Sequence, residues 1–381
     1  MIETKKRLNS KIAFIVPRLC TGGVEINFLN LSNLLIHRFS QIEIVYQSES
    51  DEGDYRSKFK EGIVFSKLGT LSGIRMINEY RKYFNSSKPS VIFVSMYVVA
   101  IYMLIAKIFS KHKPLIVING GNHFTSFTNE SLRFKEKYLL PIFARVIFKR
   151  ANFFVSQCDD MSKDIIKSLK FPIDKIKTIY NPVVSEDFNC SELSRPNHPW
   201  FDAKDSPVLI MAGRLVRQKN IIEFLDVFNN LQPFLNIKLI ILGEGPLHSQ
   251  IEERVIELGL NNVIDILPNQ KNYLSYIAYS DLMIVNSEYE GLNNMIIHAL
   301  SCGTKIISTD CPVGPSEILL NGKFGKLVKV GDKAQMAKTI MQELNSPSIS
   351  PDALVKRSKD FTIESSVKEF ENLCKNLISD K

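Results

Sequence analysis

The chain has 381 residues, 45% hydrophobic and 23% charged, with a formal net charge of +8; this is the make-up of a globular protein too long for one ordinary core, so two domains are expected. The polar start, MIETKKRLNS, leads into a strand-like run and argues against a signal peptide, and the longest apolar stretch, Val98 to Phe109, is broken by Lys107 and too short to span a bilayer. Six scattered cysteines without paired spacing point to reduced thiols in a cytoplasm and against a structural zinc site. KIAFIVP (11–17) reads as the first strand and 23–36 as the helix that follows it. Further strands are expected at 42–47, 91–96, 114–120 and 152–157, with helices between most of them. Alternating strands and helices with right-handed crossovers build a parallel sheet. Residues 184–207 are polar, contain prolines and have no period, so they read as a linker between domains 1–183 and 208–351. The alternation then restarts, with strands at 208–213, 237–245, 263–269, 281–287 and 304–310, and 352–381 reads as an amphipathic helical tail.

The charge is uneven. Residues 1–180 hold 28 Lys and Arg against 15 Asp and Glu, whereas the remainder holds 20 against 25. A basic half suits an anionic membrane, a phosphorylated substrate or nucleic acid. No zinc-finger spacing, arginine-rich tail or RNA-binding signature is present, so no nucleic-acid partner is expected. SLRFKEKYLLPIFARVIFKR (131–150) interleaves six basic residues with aromatic and aliphatic ones. It reads either as a face lying on an anionic membrane or as an ordinary helix with a solvated basic side.

In open α/β sheets ligands bind beyond the carboxyl ends of the strands, so the strand-end loops are the candidate sites. Gly22 and Gly23 close the first strand and open a helix; they either admit a ligand to the helix N-terminus or make a tight turn. His123, in NGGNHFTS after a strand, is either structural or part of a site. Arg214 and Lys219, in AGRLVRQKN, are two cations at one strand end, a pattern suited to a diphosphate, while Arg217 between them reads as solvated. Glu244, in LGEGP, accepts from a nucleotide or caps the next helix. DLMIVNSEYEGLNNMIIHALSCGTKIISTDCPVGPSE (281–317) reads strand, charged loop, helix stopping at Gly303, strand, Gly/Pro loop. Glu290 beside the first turn of that helix suits a ligand bearing both hydroxyls and phosphates, as a nucleotide sugar does.

GRLVRQKN, LGEGP, NSEYEGLNN and STDCPVGPSE, in this order, resemble the C-terminal domain of glycosyltransferase family 4, over about residues 205–332; the GGVE turn and the NGGNH loop match the N-terminal domain more loosely. The resemblance implies the GT-B fold, two Rossmann-like parallel-sheet domains facing a central cleft, and a retaining transferase. It implies that Arg214 and Lys219 neutralise the donor diphosphate, that Glu290 meets donor sugar hydroxyls, and that the backbone N–H groups of Leu292, Asn293 and Asn294 hold phosphate. Two departures stand out: His298 occupies the place of the family's second Glu, which binds ribose, and Asn293 stands where Pro is common. His123 falls near the family's reaction centre. No Asp-x-Asp pair lies at a strand end, so no metal is expected. The resulting expectation is a cytoplasmic enzyme on the inner face of the membrane. It moves a sugar from a UDP-linked donor to a glycan or lipid-linked acceptor in cell-surface polysaccharide synthesis. The alternatives are a catalytically weak sugar-nucleotide-binding protein and a nucleotide-sugar epimerase.

Overall fold

The structure, a computed structural model, describes residues 7–16, 18–19, 23–49, 55–69, 73–121, 123–130, 135–202, 205–346 and 349–380. The chain divides into two units, Met1–Pro182 with Ile363–Lys381, and Val183–Thr362.

The first unit holds a seven-stranded sheet. Its strands are β1 (Leu8–Ile15), β2 (Phe39–Tyr46), β3 (Val64–Lys67), β4 (Val91–Val94), β5 (Leu115–Asn119), β6 (Phe153–Ser156) and β7 (Ile176–Thr178). They lie in the order β3-β2-β1-β4-β5-β6-β7, and every pairing is parallel. The helices are α1 (Gly23–Leu35), α2 (Ile74–Ser87), α3 (Tyr97–Phe109), α4 (Phe124–Glu130), α5 (Leu140–Ile147) and α6 (Asp159–Leu169). The central strands are apolar on both faces, as a parallel sheet covered by helices requires; all four residues of β4 are fully buried. Phe14 of β1 stacks on Phe93 of β4 with centroids 5.3 Å apart.

The second unit repeats the plan with β8 (Val208–Ala212), β9 (Lys238–Leu242), β10 (Ile264–Leu267), β11 (Leu282–Val285), β12 (Lys305–Thr309) and β13 (Lys326–Val328), ordered β10-β9-β8-β11-β12-β13 and all parallel. Its helices are α7 (Ile221–Leu231), α8 (His248–Glu257), α9 (Tyr273–Tyr279), α10 (Asn294–Cys302), α11 (Lys333–Asn345) and α12 (Pro351–Ser358). Both strand orders reverse once, between β1 and β4 and between β8 and β11. Such a reversal opens a crevice at the carboxyl ends of the two strands that flank it.

The central strands fall where the apolar runs place them. Three of the four edge strands, β3, β7 and β13, are part exposed and carry no long apolar run, so no local pattern in the sequence marks them. Segment 184–207 is part of the second unit, where His198 Nε2 donates to Asp265 Oδ2 (3.0 Å) and its ring packs on Trp200, Phe201 and Tyr276. The tail is two helices: α12 stays in the second unit, while α13 (Ile363–Ser379) returns to the first. Val367, Phe370, Leu373 and Cys374 of α13 complete the core beneath β1 and β4, with Phe370 5.5 Å edge-on from Phe93.

Candidate active site

The crevice of the second unit is built by two strand-end loops locked together. After β8, Gly213 turns at φ 138°, and Leu215 N donates to Glu244 O (2.9 Å) while Leu247 N donates to Leu215 O (3.1 Å). A Cβ on Gly243 would sit 1.9 Å from Gly213 O, and one on Gly245 2.4 Å from Leu215 O. The glycines of LGEGP thus serve backbone-to-backbone packing. Glu244 is exposed and accepts from Asn269 N (3.3 Å); α8 begins without a side-chain cap, so the capping role falls away.

Across the crevice the loop after β11 is tied to the turn Arg217–Lys219. Glu288 N donates to Gln218 O (2.9 Å), Gln218 Nε2 to Tyr289 O (2.7 Å), and Asn286 Nδ2 to Asn220 O (2.9 Å). This framework buries Glu290 to 5% exposure and delivers three donors to one of its oxygens. Oε1 accepts from Lys219 Nζ (2.6 Å), Ser287 Oγ (2.6 Å) and Asn293 Nδ2 (2.9 Å). Oε2 has one long contact, from Gln218 Nε2 at 3.5 Å. A carboxylate presents about four lone-pair directions, so Oε2 keeps capacity for a hydroxyl donor. The Arg214 side chain is exposed and makes no hydrogen bond or ion pair to a described residue; it lines a shallow recess with Gly213, Lys219, Asn286, Ser287 and Asn293.

Asn293 has two tasks. Its Oδ1 caps α10 by accepting from Met295 N (3.0 Å) and Ile296 N (3.4 Å), and its Nδ2 holds Glu290. Asn is a strong N-cap, and a Pro here supplies neither bond. Gly314 allows the loop after β12 to approach: at φ 97°, its Cβ would lie 2.2 Å from Gly291 O. Leu292, Asn293 and Asn294 together form the entry to α10, with Leu292 and Asn293 buried.

His298 lies inside α10, buried, with Nε2 3.1 Å from the Tyr273 hydroxyl of α9 and the two rings 5.3 Å apart edge-on. Burial pushes its pKa down to about 4, so the ring is neutral at physiological pH. The ribose role expected for His298 therefore involves a neutral imidazole already engaged by a tyrosine.

In the first unit the corresponding loops follow β1, β4 and β5. Gly22 lies outside the described residues; Gly23 starts α1, and a Cβ there would meet nothing within 4 Å, so packing does not demand glycine. At Gly120 a Cβ would lie 2.7 Å from Met161 Sδ, so any larger residue there would displace the Met161 side chain. His123 follows, with Nδ1 2.6 Å from Ser126 Oγ and Nε2 3.4 Å from Asp164 Oδ2. Asp164, on α6, also accepts from Thr125 N (3.2 Å) and Thr125 Oγ1. Burial raises the Asp164 pKa, but the hydrogen bonds from His123 and Thr125 outweigh it and hold the carboxyl below its usual range. No local pattern in the sequence marks Ser126, Asp164, Ser287 or Gln218 as site residues. Asp164 sits in an unremarkable amphipathic stretch, 39 positions from the Thr125 it binds.

Among the described residues no group of His, Cys, Asp and Glu is arranged to hold a metal, and no helix is long and apolar enough to cross a membrane. On α5 and its flanks, Tyr138, Ile142, Phe143 and Val146 are 53–64% exposed beside the exposed Lys137, Arg145, Lys149 and Arg150. Residues 131–134 of the basic stretch lie outside the described residues.

Comparison with known proteins follows the same division. The model of Glycosyltransferase Family 4 matches residues 21–187, and that of Glycosyl transferases group 1 matches residues 196–361. An uncharacterized glycosyltransferase of Methanocaldococcus jannaschii is 30% identical over 289 residues, covering 64% of this chain and 70% of its own. A Campylobacter jejuni α-1,4-N-acetyl-D-galactosaminyltransferase acting on a diphospho-undecaprenol-linked glycan is 27% identical over 379 residues, covering 94% of this chain and 96% of its own. Among solved structures, a glycosyltransferase of Rickettsia africae superimposes with a TM-score of 0.79 at 15% identity, over 98% of this chain and 100% of that one. Anabaena HepE in complex with UDP and glucose gives 0.78 at 16%, over 97% and 100%. With both halves matched in order and two parallel-sheet units of the GT-B kind, the chain belongs to glycosyltransferase family 4 and is a glycosyltransferase.

Proposed function

We propose that the protein transfers a sugar, with retention of anomeric configuration, from a UDP-linked donor to a hydroxyl of a lipid-linked glycan. The observation that carries this reading is the Lys219–Glu290 pair at the switch point of the second sheet, with Arg214 on the same recess. Arg214 and Lys219 neutralise the departing diphosphate, the Arg through its planar fork and the Lys as a point charge. Glu290, fixed through Oε1, offers Oε2 to a donor sugar hydroxyl. The entry to α10 supplies backbone N–H groups to phosphate. Two cations at one strand end provide the charge that a metal supplies elsewhere, so the reaction needs none. The acceptor oxygen attacks the anomeric carbon on the face from which the diphosphate leaves, and the leaving phosphate oxygen takes the acceptor proton. The protein's part is positioning and charge stabilisation.

The Campylobacter relative supports an N-acetylhexosamine donor and an undecaprenyl-diphosphate-linked acceptor. The basic first half and the exposed face of α5 support docking on an anionic inner membrane leaflet, where such an acceptor resides. Calorimetric titration of UDP, followed by turnover with UDP-N-acetylgalactosamine, UDP-N-acetylglucosamine and UDP-glucose, tests the reading. Binding of UDP with turnover of one donor is expected; binding of none sinks it.

A further inference from the structure

The first unit carries a hydrogen-bonded chain, Ser126–His123–Asp164, that the donor chemistry does not use. Asp164 is the fixed end. Its side chain is 10% exposed and it accepts from Thr125 N and Thr125 Oγ1 as well as facing His123 Nε2 at 3.4 Å. An ionised carboxylate only accepts, so Nε2 of a neutral His123 carries the ring proton. Nδ1 is then an acceptor, and the Ser126 hydroxyl 2.6 Å away donates to it. This uses the one proton that Ser126 has. Its oxygen retains lone pairs and is left an acceptor only, on a side chain that is part exposed.

We infer that Asp164 and His123 act as positioning residues which make Ser126 Oγ a dedicated hydrogen-bond acceptor for a sugar hydroxyl of the acceptor glycan. The hydroxyl bound is not the one that reacts, since the reacting proton goes to the leaving phosphate. A purely structural account also exists, in which Asp164 ties the start of α4 to α6. The two differ in what they require of the ring. The structural account is indifferent to which nitrogen of His123 is protonated. The inference needs Nε2–H and an open Ser126 oxygen. It rests on the glycosyltransferase reading above for the identity of the ligand, while the tautomer does not.

The test has two arms on the full chain. In the first, long-range ¹H–¹⁵N correlation spectra of the free protein, with His123 assigned by its loss in His123→Gln, read the tautomer. The Nε2–H form is expected, with a shift toward a tautomer mixture in Asp164→Asn. In the second, steady-state kinetics use UDP-N-acetylgalactosamine and a short-chain polyprenyl-diphosphate N-acetylhexosaminide. Ser126→Ala is expected to raise the acceptor KM about 3- to 10-fold, the value of one neutral hydrogen bond, and to leave the donor KM unchanged. Ser126→Thr, which keeps the hydroxyl, restores the acceptor KM, and thermal melting checks that each variant is folded. An Nδ1–H ring in the free protein, or an unchanged acceptor KM in a folded Ser126→Ala, overturns the inference. Absence of donor turnover by the unsubstituted protein overturns instead the glycosyltransfer reading on which the ligand's identity depends.

Discussion

Replacing Lys219 by Ala separates the two things this lysine does. Its Nζ is one of three donors on Glu290 Oε1, and Glu290 is 5% exposed. Breaking a fully buried ion pair costs about 3–5 kcal/mol because a charge is left buried and unpaired. Here the lysine side chain is 21% exposed and two neutral donors stay in place, so the loss is smaller, about 1–3 kcal/mol. For a unit of this size that lowers the melting temperature by roughly 2–12 °C. Turnover should fall further, by roughly 10²–10³-fold, as when one preorganised electrostatic group is removed. Arg214 is the control. Its side chain is exposed and binds no described residue, so Arg214→Ala should lose a similar factor in turnover and leave the melting temperature unchanged. Removing both members of the pair, in Lys219→Ala with Glu290→Gln, should recover part of the stability and none of the activity. The assay is differential scanning fluorimetry beside release of UDP from the accepted donor. Near-normal turnover in Lys219→Ala would falsify the diphosphate role. An unchanged melting temperature would show that the ion pair carries no stability.

Three other outcomes follow from different parts of the molecule. The neutral His298 has a pKa of about 4 in the fold against 6.5 unfolded, so stability is lost as pH falls from about 6.5 toward 4, by about 1–3 kcal/mol in all; His298→Gln should flatten that stretch of the pH–stability curve, and UDP affinity should stay constant from pH 7.5 to 5.5. Binding to vesicles containing anionic lipid should weaken steeply with salt and be lost in Ile142→Asp with Phe143→Asp, whereas equal binding to neutral and anionic vesicles removes the membrane proposal. Phe370→Ala in α13 should destabilise the first unit by about 3–5 kcal/mol, measured by urea unfolding, although it lies near the end of the chain; a loss below about 1 kcal/mol would show that the terminal helix is not part of that core.

What the sequence makes legible depends on how local the physics is. Strands buried on both faces announce themselves as apolar runs, so β1, β4, β8, β11 and β12 are readable, while β3, β7 and β13 at the edges are not. The Glu290 constellation is half visible: Ser287 and Asn293 stand three positions to either side, but Gln218 and Lys219 reach it from 71 or more positions away. Position at a strand end and likeness to the family single out Lys219, yet neither reveals its bond to Glu290. The Ser126–His123–Asp164 chain is invisible, because α6 shows only an ordinary amphipathic pattern and the contact exists through packing of α4 on α6. The terminal helix α13 has a clear apolar face, but such a face does not say which core it covers; Phe370 against Phe93 does. Glu244 reads equally as a cap or a ligand contact in the sequence, and the uncapped start of α8 removes the first.

Retaining, metal-independent transfer at the Lys219–Glu290 site, as proposed above, has a direct readout: the anomeric configuration of the product, seen in the ¹H coupling of the new glycosidic bond after reaction with an α-linked UDP-sugar in excess EDTA. An α-linked product formed at the same rate with and without chelator is expected, with a loss of turnover of roughly 10²-fold or more in Glu290→Gln. A β-linked product, a rate abolished by EDTA, or full turnover in Glu290→Gln would contradict it.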